Sequence, residues 1–157
     1  MKKWIIIFSI LFLVVISVSI FIYFNSRNPL ETDIEKAVAR AKEESSIESI
    51  DETSYYNSSK SYIVIRGKNA EEENIIVWVP KKSGEIVEKK WANGITEKQA
   101  INKLKDEKQP KEILSVHLGL ESVGPVWEIT YLDDKEHLNY FYLLFENGEW
   151  WRKIENL

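Results

Sequence analysis

The hydrophobic positions of this chain fall into one long apolar run and a remainder in which apolar residues recur periodically. In residues 4–24, only three serines interrupt the apolar side chains. A bilayer core about 30 Å thick needs roughly 20 apolar helical residues, so this run predicts a transmembrane helix. The alternative is a cleaved signal peptide, but those have shorter apolar regions, and the weak small-residue site at 17–19 is followed by more apolar residues. We therefore expect an uncleaved signal-anchor.

The basic residues around the apolar run predict its direction in a membrane. Lys2 and Lys3 precede the run, and Arg27 follows it. Because basic residues are enriched on the cytoplasmic side of membrane spans, we expect residues 1–3 to be a cytoplasmic tail and residues 4–24 a single span of the cell membrane. From about Asn25 onward, the chain is expected to be extracytoplasmic.

Two shorter segments have the apolar spacing of amphipathic helices. The first opens with Asn28 as a cap and Pro29 at the first helical position, and its apolar stripe is Ile34, Ala37, Val38 and Ala41. The second opens with a capping box of Thr96 and Gln99, and its stripe is Ala100, Ile101 and Leu104. Pro110 is expected to stop the second helix.

Apolar stretches bounded by turn residues predict seven β-strands. They are residues 62–66, 75–79, 86–91, 113–120, 127–132, 140–145 and 150–154. Turns are expected at 57–59, 81–84, 133–136 and 147–148, where small and polar residues cluster. Alternation in the fourth strand places four side chains on one apolar face: Leu114, Val116, Leu118 and Leu120.

A weak internal repeat relates the two halves of the periodic remainder. A shift of 64 positions places residues 84–89 on 148–153, and residues 77–79 on 141–143. The match is one of pattern rather than identity, and each half is predicted to be a helix followed by a meander of strands. The sequence therefore predicts an α+β fold in which residues 25–31 connect the transmembrane helix to two tandem units, 32–93 and 94–157. In each unit one helix packs on an antiparallel sheet.

Charge and cysteine content narrow the classes of function. All 25 acidic residues follow the apolar run, whereas two of the 21 basic residues precede it. The acidic balance of the remainder argues against a nucleic-acid partner, whose phosphates require a basic face. The chain contains no cysteine, which excludes disulfides, thiolate metal sites and a cysteine nucleophile.

Side chains with catalytic or metal-binding chemistry are few. The chain has no nucleotide-binding, serine-hydrolase or zinc-protease motif. His117 is expected to face solvent, and residues 133–137 are expected to form a polar hairpin tip because they lack the ligand spacing of a calcium loop. The acidic run at 71–73 is expected to be a solubilising surface. We therefore predict no catalytic residue, no metal site and no cofactor.

Aromatic residues concentrate near the end of the chain. Adjacent aromatics on a strand point to opposite faces, so a core on one side of the sheet cannot bury all of them. Packing between the two units, a protein partner, or a stacked sugar or peptide ligand would each cover the surplus. The candidate partner-binding residues are Trp127, Tyr140, Tyr142, Trp150 and Trp151.

The Lys-Lys start, the single span and two helix-plus-meander units ending in Gly-Glu-x-x-x-Lys resemble the TseB-like (YpmB-like) membrane-anchored proteins of Gram-positive bacteria. The resemblance covers the whole chain and lies in its layout rather than in a short motif. It implies tandem PepSY-like, cystatin-type domains. It also implies a regulator of cell-wall elongation that contacts a penicillin-binding protein, and it carries no catalytic residues over to this chain.

Two other functions remain open at this point. PepSY-like and cystatin-type domains suggest inhibition or modulation of a peptidase by analogy of fold. Aromatic rings would also suit a module that binds a neutral cell-wall glycan. The leading expectation is a non-enzymatic, membrane-anchored interaction module that binds a penicillin-binding protein or another wall-synthesis protein.

Overall fold

The computed structural model describes residues 2–155 and 157, and for residues 2, 3, 5, 6, 9 and 24–30 it describes the backbone alone. The chain forms two compact units, Met1–Lys36 and Ala37–Leu157. In chain order the elements are helix α1 (Lys2–Glu44), strands β1 (Ser49–Asn57), β2 (Ser61–Lys68), β3 (Asn74–Pro80) and β4 (Val87–Lys90), a 3₁₀ helix (Trp91–Asn93), helix α2 (Glu97–Lys108), and strands β5 (Glu112–Glu121), β6 (Gly124–Leu132), β7 (Leu138–Leu144) and β8 (Trp150–Ile154).

Helix α1 is continuous through the predicted span and the predicted linker. The prediction that a separate helix starts at Asn28 is therefore wrong for the backbone, and the side chains of Asn28 and Pro29 lie outside the described residues. Among the residues that the structure describes, no helix has both the length and the apolar character required to cross a membrane.

Strands β1 to β4 form an antiparallel sheet in chain order, here called sheet 1. One face of its central strands, β2 and β3, is buried under Ala37 and Ala41 from the last turns of α1. The side chains on this buried face are Ile63, Ile65, Ile75, Val77 and Val79. The predicted stripe of the first helix is confirmed at these two alanines. The opposite face of β2 and β3 is also buried, which explains why both strands are continuous apolar runs in the sequence.

Strands β5 to β8 form a second antiparallel sheet in chain order, here called sheet 2. Segments related by the 64-residue shift occupy equivalent strands, because 77–79 lie in β3 and 141–143 lie in β7. Gly84 and Gly148 lie in the turns that follow, both with positive φ. The predicted α+β class with antiparallel sheets is confirmed. The division into two tandem domains stays a prediction, since Ala37–Leu157 form one compact unit.

Helix α2 begins with the predicted capping box. The hydroxyl of Thr96 accepts the backbone N–H of Gln99 at 3.3 Å, and the Gln99 side chain accepts the backbone N–H of Thr96 at 2.8 Å. Ala100 and Leu104 are fully buried, as the predicted stripe requires. The helix ends at Lys108, and Gln109 caps it in the left-handed conformation with φ of 47°.

The two sheets and α2 share one hydrophobic core. Trp78 of sheet 1 packs edge to face on Phe145, with ring centroids 6.5 Å apart. Trp91 makes similar contacts with Trp127, at 6.0 Å, and with Phe145, at 6.3 Å. Each sheet therefore needs the other to bury one of its apolar faces, as expected for units too small to be stable alone.

A β-bulge in β5 changes which of its side chains are buried. Ile113 pairs with Tyr131 and Ser115 pairs with Thr130, so Leu114 is the extra residue. Leu114 is 47% exposed, and its predicted place on the apolar face is wrong. The pleat resumes after the bulge, and the other three residues of that face pack in the shared core: Val116, Leu118 and Leu120.

Strand β1 is absent from the sequence prediction. Among its nine residues, all of them described, Tyr56 alone is fully buried, so the strand lacks an apolar pattern. The internal repeat nevertheless indicates a strand at this position. A shift of 64 positions moves β5 onto residues 48–57, within one residue of the observed strand.

Candidate partner-binding surface

The five predicted contact residues separate into buried and accessible ones. Trp127 is 1% exposed, and its indole N–H donates to the carbonyl oxygen of Ile95 at 2.9 Å. Tyr142 is 6% exposed. In this structure neither side chain offers a surface to a partner, and we assign both to packing. Trp150 is 51% exposed, while Tyr140 and Trp151 are half-buried.

A bulge in β8 determines how these aromatic side chains are arranged. Leu143 pairs with Trp150 and Tyr142 pairs with Arg152, which leaves Trp151 as the extra residue. Trp151 packs edge to face on Tyr142 at 5.8 Å, and the guanidinium carbon of Arg152 lies 5.9 Å from the centre of the same ring. Two consecutive residues thus contact one ring, an arrangement that regular strand alternation does not allow.

The accessible residues on and beside β8 are here called the β8 surface. Trp150 pairs with Leu143 and shares its face, whereas Tyr140, Trp151 and Arg152 lie on the face of Tyr142. Beyond α1, the described large apolar side chains that are strongly exposed are Leu114, Val123, Trp150 and Leu157. Trp150 is the aromatic member of that group, and β8 is an edge strand of sheet 2. Tryptophan and arginine on an accessible edge are typical of protein interfaces.

Tyr56 belongs to the shared core and joins the two sheets by packing against β5. A Cβ atom at Gly119 would lie 2.2 Å from Cζ of Tyr56, so glycine is required for this close approach. The Tyr56 hydroxyl donates to Oε1 of Glu121 at 2.7 Å. The ring of β1 therefore lies against β5 and is fixed there by a charged hydrogen bond.

Two buried phenols, those of Tyr56 and Tyr142, have strongly raised pKa values. Burial raises the pKa of Tyr142, and the carboxylate of Glu128 raises it further through its charge and a hydrogen bond. Burial also raises the pKa of Tyr56, with the hydrogen bond to Glu121 as the second cause. Both phenols remain protonated at neutral pH, so they act as hydrogen-bond donors rather than as bases.

The polar segments that the sequence analysis considered for metal binding or catalysis are accounted for by the fold. The carboxylate of Asp133 accepts the backbone N–H groups of Lys135 and His137, both at 2.9 Å, which confirms a polar hairpin tip. His117 is exposed, as predicted. In the acidic run, Glu73 forms an ion pair with Lys90, so this residue also ties its loop to β4. Over the described residues, no group of three or more metal-binding side chains comes together.

Sequence reasoning missed three contributors to this region: Arg152, Tyr56 and Glu121. No sequence pattern indicates the role of Arg152, because its position beside Tyr142 depends on the β8 bulge. For Tyr56, the repeat would have indicated its strand, because it aligns the missed strand β1 with β5, but not its hydrogen bond to Glu121.

Comparisons with known proteins agree with this architecture. Residues 36–80 match the family model described as "Cell wall elongation regulator TseB-like domain". The "Probable cell wall elongation regulator TseB" of Bacillus subtilis (strain 168) is 33% identical over 145 residues, which are 92% of this chain and 90% of that protein. A solved structure described as "YpmB protein from Bacillus subtilis" has a TM-score of 0.73 and 31% identity, over 77% of this chain and 95% of that chain.

Proposed function

We propose that this chain, which belongs to the TseB-like family of cell wall elongation regulators, regulates wall elongation from the outer side of the cell membrane without catalysing a reaction. It would act by binding a wall-synthesis protein, and a penicillin-binding protein is the partner we expect. The observation that carries this proposal is the exposed Trp150 on the edge strand of sheet 2.

Membrane anchoring is supported by the apolar surface of α1. The described side chains from Trp4 to Tyr23 are exposed, and Phe12 and Phe21 are 66% and 69% exposed. The described residues hold no helix that meets the criterion for a span, but apolar surface of this extent requires cover, and a bilayer would supply it. The lysines before this segment favour a cytoplasmic N-terminus, which would place residues Ala37–Leu157 outside.

A non-catalytic role is supported by the state of the ionisable side chains. The buried phenols of Tyr56 and Tyr142 are held in their neutral form by burial and by neighbouring carboxylates. Several accessible carboxylates pair with lysines, such as Glu155 with Lys108 at 2.9 Å and Glu146 with Lys89 at 2.8 Å. Such pairs stabilise a surface and leave recognition, rather than proton transfer, as its function.

The β8 surface has the chemistry of a protein-binding site. Trp150 supplies a large exposed ring, while the contacts of Trp151 and Arg152 with Tyr142 fix the backbone beneath it. An aromatic side chain held on a rigid strand loses little conformational entropy on binding. The free edge of β8 also offers backbone N–H and C=O groups to a partner strand.

Site-specific crosslinking in cells tests this proposal. A photo-crosslinking amino acid with an aromatic side chain, which keeps a large ring at this position, replaces Trp150 in the full chain. The matched control carries it at Lys98, an exposed position on α2. We expect a penicillin-binding protein to be recovered from the Trp150 position and not from the Lys98 position. Recovery of no wall-synthesis protein from Trp150, or equal recovery from both positions, would contradict the proposal.

A neutral wall glycan is the other occupant that an exposed tryptophan ring would suit. Pelleting the full chain with purified cell wall separates the two partners. If Trp150→Ala abolishes pelleting while the protein crosslink is absent, the β8 surface binds glycan rather than a synthesis enzyme.

A further inference from the structure

Two loops at one end of sheet 1 form a cleft that differs in charge from the rest of the chain. The cleft, about 550 Å³ in volume, is here called the basic cleft, and its polar lining residues are Ser59, Lys60, Ser61, Lys81, Lys82 and Ser83. Within the described part of the chain, no acidic side chain lines it. A cleft with three lysines is thus present in a protein of net charge −4.

Hydrogen bonds hold the loops of the basic cleft in place. The backbone N–H of Lys81 donates to the carbonyl oxygen of Ser61 at 3.0 Å, which joins the two loops directly. The guanidinium of Arg40 donates to the carbonyl oxygen of Gly84 at 2.7 Å and ties the second loop to α1. The Lys81 ammonium lies 5.3 Å from the centre of the Tyr55 ring, a cation–π contact. The backbone that carries the lysines is therefore ordered without a ligand.

The cleft differs from other lysine-bearing surfaces of the protein in how its charges are compensated. Elsewhere, lysines on the two sheets pair with carboxylates, as Lys90 does with Glu73 at 2.6 Å. Over the described residues, neither Lys60 nor Lys82 forms an ion pair. The charges of Lys60 and Lys82 are therefore available to an anion from outside.

We propose that the basic cleft binds a phosphate-bearing anion. Its ammonium groups and serine hydroxyls together supply several donors, which suit the oxygens of a tetrahedral phosphate better than the two oxygens of a single carboxylate. A soluble phosphate ester and a phospholipid headgroup present the same chemistry to the cleft. A volume of about 550 Å³ accommodates a phosphate together with an attached glycerol.

Lysine labelling tests the proposal on the full chain in phosphatidylcholine nanodiscs. An amine-reactive reagent is applied with glycerol 3-phosphate, with inorganic phosphate, or after phosphatidylglycerol is added to the disc, and mass spectrometry reports each lysine. We expect slower labelling of Lys60 and Lys82 and unchanged labelling of Lys98 and Lys135, which are exposed elsewhere. Protection by the soluble ester identifies a soluble phosphate as sufficient, and protection by phosphatidylglycerol alone identifies the headgroup.

Paired variants separate a site from a general charge effect. The double variant Lys60→Gln/Lys82→Gln is expected to weaken glycerol 3-phosphate binding by about tenfold or more, followed through the labelling of Lys81. The variant Lys98→Gln/Lys135→Gln removes the same charge and is expected to leave the affinity unchanged. Equal weakening in both variants, equal protection by the dicarboxylate malonate, or no protection by any phosphate probe would overturn the proposal.

Discussion

The Tyr56 hydroxyl of β1 donates a 2.7 Å hydrogen bond to the carboxylate of Glu121 in β5, which lies 65 residues further along the chain. Tyr56 is 2% exposed and Glu121 is half-buried, so this bond is partly shielded from solvent. It links the edge of sheet 1 to the edge of sheet 2, and β1 and β5 are the first strands of the two halves related by the repeat. The contact therefore couples the two sheets through equivalent strands.

Tyr56→Phe is expected to lower the free energy of unfolding by about 1–2 kcal/mol, because it removes a hydrogen bond to a charged group and keeps the ring. Tyr62→Phe is the matched control, since Tyr62 is buried in the same core and has no hydrogen-bond partner for its hydroxyl among the described residues. Urea unfolding of the full chain measures both. An equal loss in the two variants would show that the bond to Glu121 contributes nothing specific.

High pH is expected to destabilise the protein through its buried phenols. The pKa values of Tyr56 and Tyr142 are raised in the folded state, which therefore retains these protons more tightly than the unfolded state, where phenols titrate near about pH 10. Their contribution is complete below about pH 10 and decreases above it by about 1.4 kcal/mol per pH unit for each phenol.

Unfolding measured at about pH 9 and about pH 11 checks this dependence, with Tyr56→Phe/Tyr142→Phe as the comparison. Lysines titrate in the same range, but they are common to both proteins. The double variant is expected to lose less stability over this interval than the original chain. An identical loss would mean that the phenols do not carry the pH dependence.

The elements that sequence reasoning located correctly are those whose side chains repeat an apolar spacing. Thr96 and Gln99 predicted the start of α2 because a capping box is a local interaction. Residues 62–66 and 75–79 predicted β2 and β3 because both faces of these strands are buried. Bulges leave no comparable signal, since one extra residue changes the face of its neighbours without changing their composition.

The candidate surface depends on the features that were hardest to predict. Trp127 and Tyr142 were indistinguishable from Trp150 in the sequence, because burial depends on which face sheet 1 and α2 cover. The position of Arg152 beside Tyr142 depends on the β8 bulge. Long-range packing and register, rather than local propensity, therefore determine which aromatic residues reach the surface.

The β5 bulge predicts opposite behaviour for two leucines of the same strand. Leu118→Ala is expected to cost about 2–4 kcal/mol, since its side chain is 7% exposed in the shared core. Leu114→Ala is expected to cost less than about 0.5 kcal/mol, since the bulge leaves its side chain 47% exposed. Thermal or urea unfolding compares them. A large cost at Leu114 would argue for the regular pleat that the sequence predicted.

Two buried tryptophans differ in the partner of the indole N–H. Trp127 donates to the carbonyl oxygen of Ile95 at 2.9 Å, whereas the N–H of Trp78 has no acceptor among the described residues. Replacement by phenylalanine removes similar volume at both sites. Trp127→Phe is therefore expected to cost about 1 kcal/mol more than Trp78→Phe, because it also breaks a hydrogen bond. Equal costs in urea unfolding would assign the whole effect to volume.

Trp150 and Trp151 are neighbours in sequence but have different surroundings, so their alanine variants separate folding from binding. Trp151→Ala removes the edge-to-face contact with Tyr142 and is expected to cost about 1–1.5 kcal/mol of stability. Trp150→Ala is expected to cost less than about 0.5 kcal/mol, because half of the side chain is exposed in the free protein. In cells, co-purification of the proposed partner, a penicillin-binding protein, is expected to fall sharply for Trp150→Ala and to follow the amount of folded protein for Trp151→Ala. If instead the two variants lose partner and stability in parallel, Trp150 belongs to the fold, and the partner binds elsewhere.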